Sequence, residues 1–81
     1  MTVTVKLFAI AAELAKAPAI EIDLAEGSTV ADLRQAMAQK CPALAKVLPH
    51  FLFAISSQYA TETTPIPTAA DVACIPPVSG G

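Results

Sequence analysis

The residues that most clearly could take part in a reaction are at the end of the sequence, where Gly80 and Gly81 follow the run Ile75-Pro76-Pro77-Val78-Ser79. Because glycine has no Cβ, two successive glycines can enter a channel too narrow for any other residue. The functional group that can react at this end is the α-carboxylate of Gly81. We therefore expect Gly81 to be the reacting residue and the rest of the chain to hold and present it.

The segment before the two glycines is expected to be an extended tail. Two prolines favour polyproline-like backbone and remove conformers that a free tail would otherwise sample. The six residues after Ile75 span at most about 20 Å when fully extended. We predict one domain over residues 1–75 and a flexible tail over residues 76–81 that inserts into a partner's active site. The inserting residues ahead of Gly81 are Pro76, Pro77, Val78, Ser79 and Gly80.

Size and composition point to a small domain that binds another protein. The chain has 81 residues, of which 54% are apolar and 15% charged, and its net charge is −2. This balance is too apolar for a disordered chain and predicts an exposed apolar patch that a protein partner covers. The five basic residues are scattered and aromatic residues are few, so binding to nucleic acid is not expected.

The same composition predicts a cytoplasmic protein. The first residues alternate between polar and apolar as a strand does, unlike a signal peptide. No apolar stretch approaches the roughly 20 residues that cross a bilayer, so no membrane interaction is expected. Two cysteines, Cys41 and Cys74, do not make a disulfide framework, and in a reducing compartment both are expected to be thiols.

Hydrophobic periodicity predicts an α+β domain with one main helix. The predicted elements are a strand over 2–9, a short helix over 10–17, a strand over 20–24, a helix from 30 to 41, one further turn over 43–48, a buried strand over 51–55, a short strand at 59–60 and a last strand over 71–75. This order fits a β-grasp (ubiquitin-like) fold, with a mixed sheet and the last strand beside the first. Spacing by itself does not select that layout over other α+β arrangements.

The main helix carries recognisable start and face signals. Ser28 or Thr29 can cap its N-terminus, and Asp32 follows Thr29 at the capping-box spacing. Its outer, solvent-facing positions are expected to include Arg34, Gln35 and Lys40.

Three apolar residues are candidates for the surface that a partner contacts. Phe8 lies on the outer face of the first strand beside Thr4 and Lys6, Tyr59 lies on the short strand, and Ile75 precedes the tail. For Ile75 an ordinary place in the core remains an alternative, because apolar residues at strand ends are usually buried.

The remaining reactive side chains do not form a catalytic set. Cys74 is expected to be a buried structural thiol, and nothing in the sequence next to Cys41 would activate it. His50 is the single histidine and is expected in a solvated loop, so no metal site is predicted. No glycine-rich phosphate loop is present, so the chain is not expected to bind ATP or another cofactor itself.

Four segments together resemble a known family: residues 6–9 (Lys-Leu-Phe-Ala), 13–15 (Glu-Leu-Ala), 26–33 (Glu-Gly-Ser-Thr-Val-Ala-Asp-Leu) and 71–81 (Asp-Val-Ala-Cys-Ile-Pro-Pro-Val-Ser-Gly-Gly). They resemble the small subunits of molybdopterin synthase, a family of ubiquitin-like sulfur carriers. The chain departs from the family at two turns: Ser56-Ser57 stands where Asn-Gly is common, and Ala69-Ala70-Asp71 where Asp-Gly-Asp is common.

The resemblance implies a function that the chain performs only with partners. An adenylating activating enzyme would use ATP to convert the Gly81 carboxylate to an acyl-adenylate and then to a thiocarboxylate. Inside the synthase large subunit, this thiocarboxylate would donate sulfur to cyclic pyranopterin monophosphate and form the molybdopterin dithiolene. The chain is then a non-catalytic carrier in a heteromeric sulfurtransferase, and Phe8, Tyr59 and Ile75 are implied to contact both partners.

Three other functions remain open from the sequence. The chain could carry sulfur for thiamine or cysteine biosynthesis, modify proteins as ubiquitin does, or act as a non-covalent adaptor without tail chemistry.

Overall fold

Residues 1–77 form a five-stranded mixed sheet with one main helix against one of its faces, in the computed structural model that describes them. The strands are β1 (Thr2–Leu7), β2 (Ala19–Asp23), β3 (Leu52–Ile55), β4 (Gln58–Ala60) and β5 (Val72–Ile75). The helices are α1 (Ile10–Ala15) and α2 (Val30–Lys40), and the single turn expected over 43–48 is replaced by two 3-10 turns, Pro42–Leu44 and Leu48–His50.

The order of the strands across the sheet is β2-β1-β5-β3-β4. β5 pairs parallel with β1, and the other neighbouring strands pair antiparallel. The last strand is therefore inserted at the centre of the sheet, beside the first, as the β-grasp prediction requires, and the α+β fold class is confirmed. Because β5 is central, the chain leaves the sheet from its middle rather than from an edge.

One face of the sheet is buried and the other is open. Along β1 the apolar residues are buried and the residues between them are exposed, which is the alternation of a strand with one solvated face. The helix α2 covers the buried face of the sheet with Val30, Leu33 and Met37, which are all fully buried. On β5, Val72 and Cys74 are fully buried against the same core. The open face, on the far side from α2, is thus the place where a partner could contact the sheet.

The start of α2 has the predicted cap. The hydroxyl of Thr29 accepts a hydrogen bond from the backbone N–H of Asp32, and the Asp32 carboxylate accepts one from the backbone N–H of Thr29 at 2.9 Å. This reciprocal capping box confirms the prediction and typically contributes about 1 kcal/mol. With 11 residues, α2 is the longest helix among residues 1–77, and no helix in that range is long and apolar enough to span a membrane.

The hairpin between β3 and β4 turns on two serines. Ser56 and Ser57 both have positive φ, 50° and 68°, and Ile55 pairs with Gln58 around them. Positive φ at both central residues is the requirement of a type I′ turn, which glycine and asparagine meet more easily than serine. The loss of the usual Asn-Gly pair therefore leaves the turn in place but with backbone strain.

Substituting Ser57→Gly should relieve part of this strain. Glycine reaches positive φ without a steric penalty but loses more entropy on folding, so we expect a net gain of about 0.5 kcal/mol in the free energy of unfolding. Urea denaturation measures it. The matched control, Ser57→Ala, should lower the stability or leave it unchanged, and a stabilising alanine would contradict the strain argument.

The first strand ends earlier than predicted. β1 stops at Leu7 rather than at residue 9, because Ala9 adopts a positive φ of 50° as the chain turns into α1. At the other end of the chain, β5 ends at Ile75. The division into a domain of residues 1–75 and a tail of residues 76–81 stays a prediction, since residues 78–81 lie outside the described part of the chain.

Candidate functional site

The root of the predicted tail lies at the end of the central strand. Ile75 is the last residue of β5 and pairs with Leu52 of β3. It is half-buried, Pro76 after it is also half-buried, and Pro77 is exposed. The predicted roles of Val78, Ser79, Gly80 and Gly81 fall outside the described residues and stay predictions.

The three predicted partner-contacting residues lie together on the open face of the sheet. Phe8, Tyr59 and Ile75 line one shallow depression with a volume of about 310 Å³. Phe8 is 48% exposed and Tyr59 is 69% exposed, which is unusual for aromatic side chains without a partner. The half-buried position of Ile75 means that it contributes to the sheet and to this surface at once. The partner-contact role itself stays a prediction.

We call this depression the trough. Its floor is Ala54 of β3 and Ala73 of β5, which are directly paired in the sheet. Lys6 pairs with Ala73 on one side and Tyr59 pairs with Ala54 on the other. The larger side chains that complete its lining are Phe8, Ile75, Asp71 and Ser57. Two small residues between two long ones thus create the hollow.

Leu52 extends the exposed apolar surface, although the sequence predicts it to be buried. The predicted buried strand over 51–55 begins as a strand only at Leu52, whose side chain is 45% exposed. Its neighbours Phe51 and Phe53 point into the core. Because the run Phe-Leu-Phe-Ala-Ile is apolar at every position, it contains no polar alternation that could reveal its outward-facing members. The pairing of Leu52 with Ile75 would have identified it.

An ion pair stands at the polar end of the trough. The Lys6 ammonium and the Asp71 carboxylate are 3.5 Å apart, and their side chains are 59% and 61% exposed. An exposed pair of this kind contributes roughly 0–1 kcal/mol to stability. Its main consequence is that the two charges lining the trough balance each other.

The sequence predicts Arg34 on the solvent-facing side of α2, but the structure places it elsewhere, since its side chain is only 18% exposed. Its guanidinium donates to the backbone carbonyls of Leu48 and Phe51 and binds both carboxylate oxygens of Glu62, at 2.9 and 2.6 Å. It also lies 4.9 Å from the centre of the Phe53 ring. The prediction was wrong because helical spacing identifies a face and not what packs over that face; here the chain after α2 folds over it.

Cys74 is the buried thiol that the sequence predicts. Its side chain is fully buried in β5. Burial raises the pKa of this thiol to about 11, with a smaller opposing effect from the Arg34 charge. A thiol with so high a pKa is not a nucleophile near neutral pH, because the thiolate is the reactive form.

The raised pKa of Cys74 predicts a pH-dependent stability and a protected thiol. The unfolded thiol ionises near pH 9 and the folded one near pH 11. The contribution of Cys74 is therefore fully present below pH 9 and is lost as the pH rises to 11. Cys74→Ala should remove this part of the pH dependence.

With iodoacetamide at pH 8, Cys41 should be alkylated in the folded protein and Cys74 only after denaturation. Equal rates of alkylation of the two thiols in the folded protein would contradict the burial argument.

Other reactive groups are dispersed over the described part of the chain. Cys41 is half-buried at the C-terminal end of α2, and His50 is exposed in the second 3-10 turn. Within residues 1–77, no three or more His, Cys, Asp or Glu side chains are grouped as metal ligands. Among residues 1–77, the candidate site is therefore the exposed trough at the root of the tail.

A mixed five-stranded sheet whose last strand lies at its centre, parallel to the first, is the β-grasp arrangement of ubiquitin-like proteins. The sequence matches the ThiS family over residues 5–81. It is also 32% identical over 79 residues to the molybdopterin synthase sulfur carrier subunit of Arabidopsis thaliana, covering 98% of this chain and 82% of that protein. The chain belongs to the ThiS family and is a sulfur carrier of this ubiquitin-like class.

Solved structures show the same fold. The crystal structure of SAMP1 from Haloferax volcanii, a small archaeal modifier protein, is 28% identical, covers 100% of both chains and superimposes with a TM-score of 0.85. One chain of the complex of subunits 1 and 2 of molybdopterin-converting factor from Helicobacter pylori 26695 is 23% identical to this chain, with 100% of both chains covered and a TM-score of 0.68. The second similarity is one of fold.

Proposed function

We propose that this chain is the sulfur carrier subunit of a molybdopterin synthase. The observation that carries the proposal is the identity with the plant sulfur carrier subunit over nearly the whole chain. The family match extends to Gly81, and the described fold brings the root of the tail next to an exposed apolar surface. A domain of this size offers a surface and a chain end, so the substrate pocket and most acid–base groups belong to its partners.

The chemistry proceeds at the Gly81 carboxylate. A carboxylate oxygen attacks the α-phosphorus of ATP, pyrophosphate leaves, and an acyl-adenylate forms. A sulfur donor equivalent to hydrosulfide then attacks the carbonyl carbon and AMP leaves with the bonding electron pair. The product is a thiocarboxylate, whose soft anionic sulfur is a good nucleophile toward carbon, as a thiolate is. Two successive sulfur transfers to cyclic pyranopterin monophosphate would supply the two sulfur atoms of the dithiolene.

Two partners follow from this chemistry. An adenylating enzyme must bind ATP and activate Gly81, and the synthase large subunit must bind the pterin and receive the tail. The complex of subunits 1 and 2 of the Helicobacter pylori protein is the precedent for the second partner. Pro76 and Pro77 would lower the entropy lost when the tail enters either site. We propose that neither ATP nor another cofactor binds to this chain itself, and that the chain acts in the cytoplasm.

Mass spectrometry of the intact chain tests the proposal. Incubation with the activating enzyme, ATP and a sulfur source should raise the mass by one oxygen-to-sulfur exchange, and fragmentation should place the change on Gly81. Incubation without ATP is the control. Recovery of unmodified chain under the complete conditions would contradict the carrier chemistry, whichever pathway receives the sulfur.

A modifier function is a second candidate, favoured by the full-length structural similarity to SAMP1. In that case, an amine of a target lysine would replace sulfur as the nucleophile that attacks the activated carbonyl, and an isopeptide bond would form. Denaturing gels of cells that express a tagged chain would show conjugates of higher mass. A thiocarboxylated chain with no such conjugates would support the sulfur carrier alone.

The receiving pathway is tested by the acceptor. With the large synthase subunit and cyclic pyranopterin monophosphate, the thiocarboxylated chain should yield molybdopterin and return to the carboxylate form. Transfer of sulfur to a thiamine or cysteine precursor, with none to the pterin, would assign the chain to another branch of the family.

A further inference from the structure

The outer edge of β2 carries a contact that belongs neither to the trough nor to the tail. Within residues 1–77, the strands at the two edges of the sheet are β2 and β4. β4 has three residues and β2 has five, so β2 offers the longer row of edge backbone groups. Lys40, the last residue of α2, donates from its ammonium to the backbone carbonyl of Glu21 in β2 at 2.5 Å. The helix thus supplies a donor at the edge where a further strand could pair.

The pairing of β2 with β1 shows that the Glu21 carbonyl points away from the sheet. The backbone N–H of Leu24 donates to the carbonyl of Met1 at 2.8 Å, and the terminal ammonium of Met1 donates to the carbonyl of Leu24 at 2.7 Å. Along an antiparallel pair, residues that exchange both bonds alternate with residues that exchange none. Counting back from Leu24, every second backbone position bonds to β1. The N–H and C=O groups of the positions between them therefore point outward, at Ala19, Glu21 and Asp23.

The backbone of this edge is complementary to a second copy of itself. With Glu21 opposite its own copy, two-fold antiparallel pairing would set Ala19 opposite Asp23 on both sides of the axis. All three outward-facing residues would then exchange their hydrogen bonds with the second copy. Two features oppose this pairing. The Lys40 ammonium occupies the Glu21 carbonyl at the axis, and two exposed glutamates would stand directly opposite each other, which destabilises a strand pair.

We propose that the outer edge of β2 is a strand-pairing site for a second copy of this chain, and that Lys40 keeps this site closed. The Lys40 side chain begins at the end of an 11-residue helix that packs on the sheet, so a rigid element holds the ammonium at the edge. Glu21 acts in the same direction through charge repulsion. This inference goes beyond the proposed function, because neither residue lines the trough. The consequence is a chain that stays monomeric although its edge strand faces solvent.

Removing the ammonium while keeping the length of the side chain tests the role of Lys40. Lys40→Met should strengthen self-association at least about tenfold, measured as the monomer–dimer constant by sedimentation equilibrium. Lys46→Met makes the same chemical change at an exposed position between the two 3-10 turns and should leave the constant within about twofold of the wild-type value. Lys40→Arg keeps a long cationic donor and should retain the wild-type constant.

A charge exchange at Glu21 tests which strands pair. Adding Glu21→Lys to Lys40→Met replaces the carboxylate at the axis by an ammonium. A mixture of Lys40→Met with the double variant Lys40→Met/Glu21→Lys should associate about tenfold more tightly than either variant by itself, because opposite charges would then meet. In the dimer, the outward-facing amides of Ala19, Glu21 and Asp23 should become protected from hydrogen exchange.

Thermal unfolding checks that each variant is folded, and Lys40→Ala takes the place of Lys40→Met if the methionine variant does not fold. A monomer–dimer constant equal to that of the wild-type chain would overturn the proposal. Association that protects the amides of β4 instead of β2 would also overturn it, by assigning the contact to the other edge. Lys40→Met should still gain sulfur at Gly81, so a failure of the proposed function would be seen separately from a failure of this inference.

Discussion

Deletion of Gly81 should reduce molybdopterin formation by at least about 100-fold in an assay with the purified large subunit. The deletion moves the terminal carbonyl back by about 3.5 Å, and a misplacement of ~1 Å can already cost ~100-fold in rate. Appending one alanine after Gly81 should have a similar effect, because it advances the reacting carbonyl and adds a Cβ to the last residue. Both variants should also fail to gain sulfur from the activating enzyme.

The control for this prediction is binding of the folded domain. The trough and its surrounding residues lie in the described domain, so both tail variants should still bind the large subunit and unfold at the same urea concentration as the wild-type chain. Loss of transfer with binding retained places the function in the terminal carbonyl. Undiminished cofactor formation by the alanine-extended chain, with the extension verified by mass, would contradict the proposed chemistry.

Replacing Arg34 with alanine should destabilise the domain by about 2–4 kcal/mol, the largest effect on stability that we expect from a polar residue here. The substitution removes hydrogen-bond donors from the carbonyls of Leu48 and Phe51 and removes the bidentate pair with Glu62. It also removes the contact with the ring of Phe53. Each carbonyl left without a donor in a partly buried position costs about 1–3 kcal/mol unless water reaches it.

Two companion variants separate the parts of this effect. Glu62→Gln removes the charge of a side chain that is 53% exposed and should cost about 1 kcal/mol or less. Gln39→Ala, on an exposed position of α2, should be close to neutral. Urea unfolding measures all three. If Arg34→Ala and Glu62→Gln cost the same, the surface ion pair and not the carbonyl contacts would account for the role of Arg34.

Arg34 connects this stability to the functional surface. The carbonyl of Phe51 precedes Leu52, which is exposed beside Ile75 at the root of the tail. By binding that carbonyl, Arg34 joins the start of β3 to α2 on the buried side of the sheet. The open face and the tail root therefore depend on a side chain that neither of them exposes to a partner.

Most of the elements were predictable because their signals are local. The structure has three of the predicted features: the alternation of β1, the capping box at Thr29 and the buried thiol of Cys74. Each of them depends on residues close in sequence or on the burial of an apolar strand. Errors came where the signal is not local. Leu52 lies in a uniformly apolar run whose outward-facing positions are set by pairing with β5. The environment of Arg34 depends on how the chain after α2 folds back over the helix.

The order of residues by itself determined the glycine pair, the two prolines before it and the family to which the chain belongs, because these are properties of the chain and its chemistry. Tertiary structure decided that Phe8, Tyr59 and Ile75 line one trough, and that two alanines give it a floor. Those residues come from four different strands or strand ends, and only the insertion of β5 beside β1 brings them together. Long-range strand pairing has no local signature, which is why the trough could not be read from the sequence.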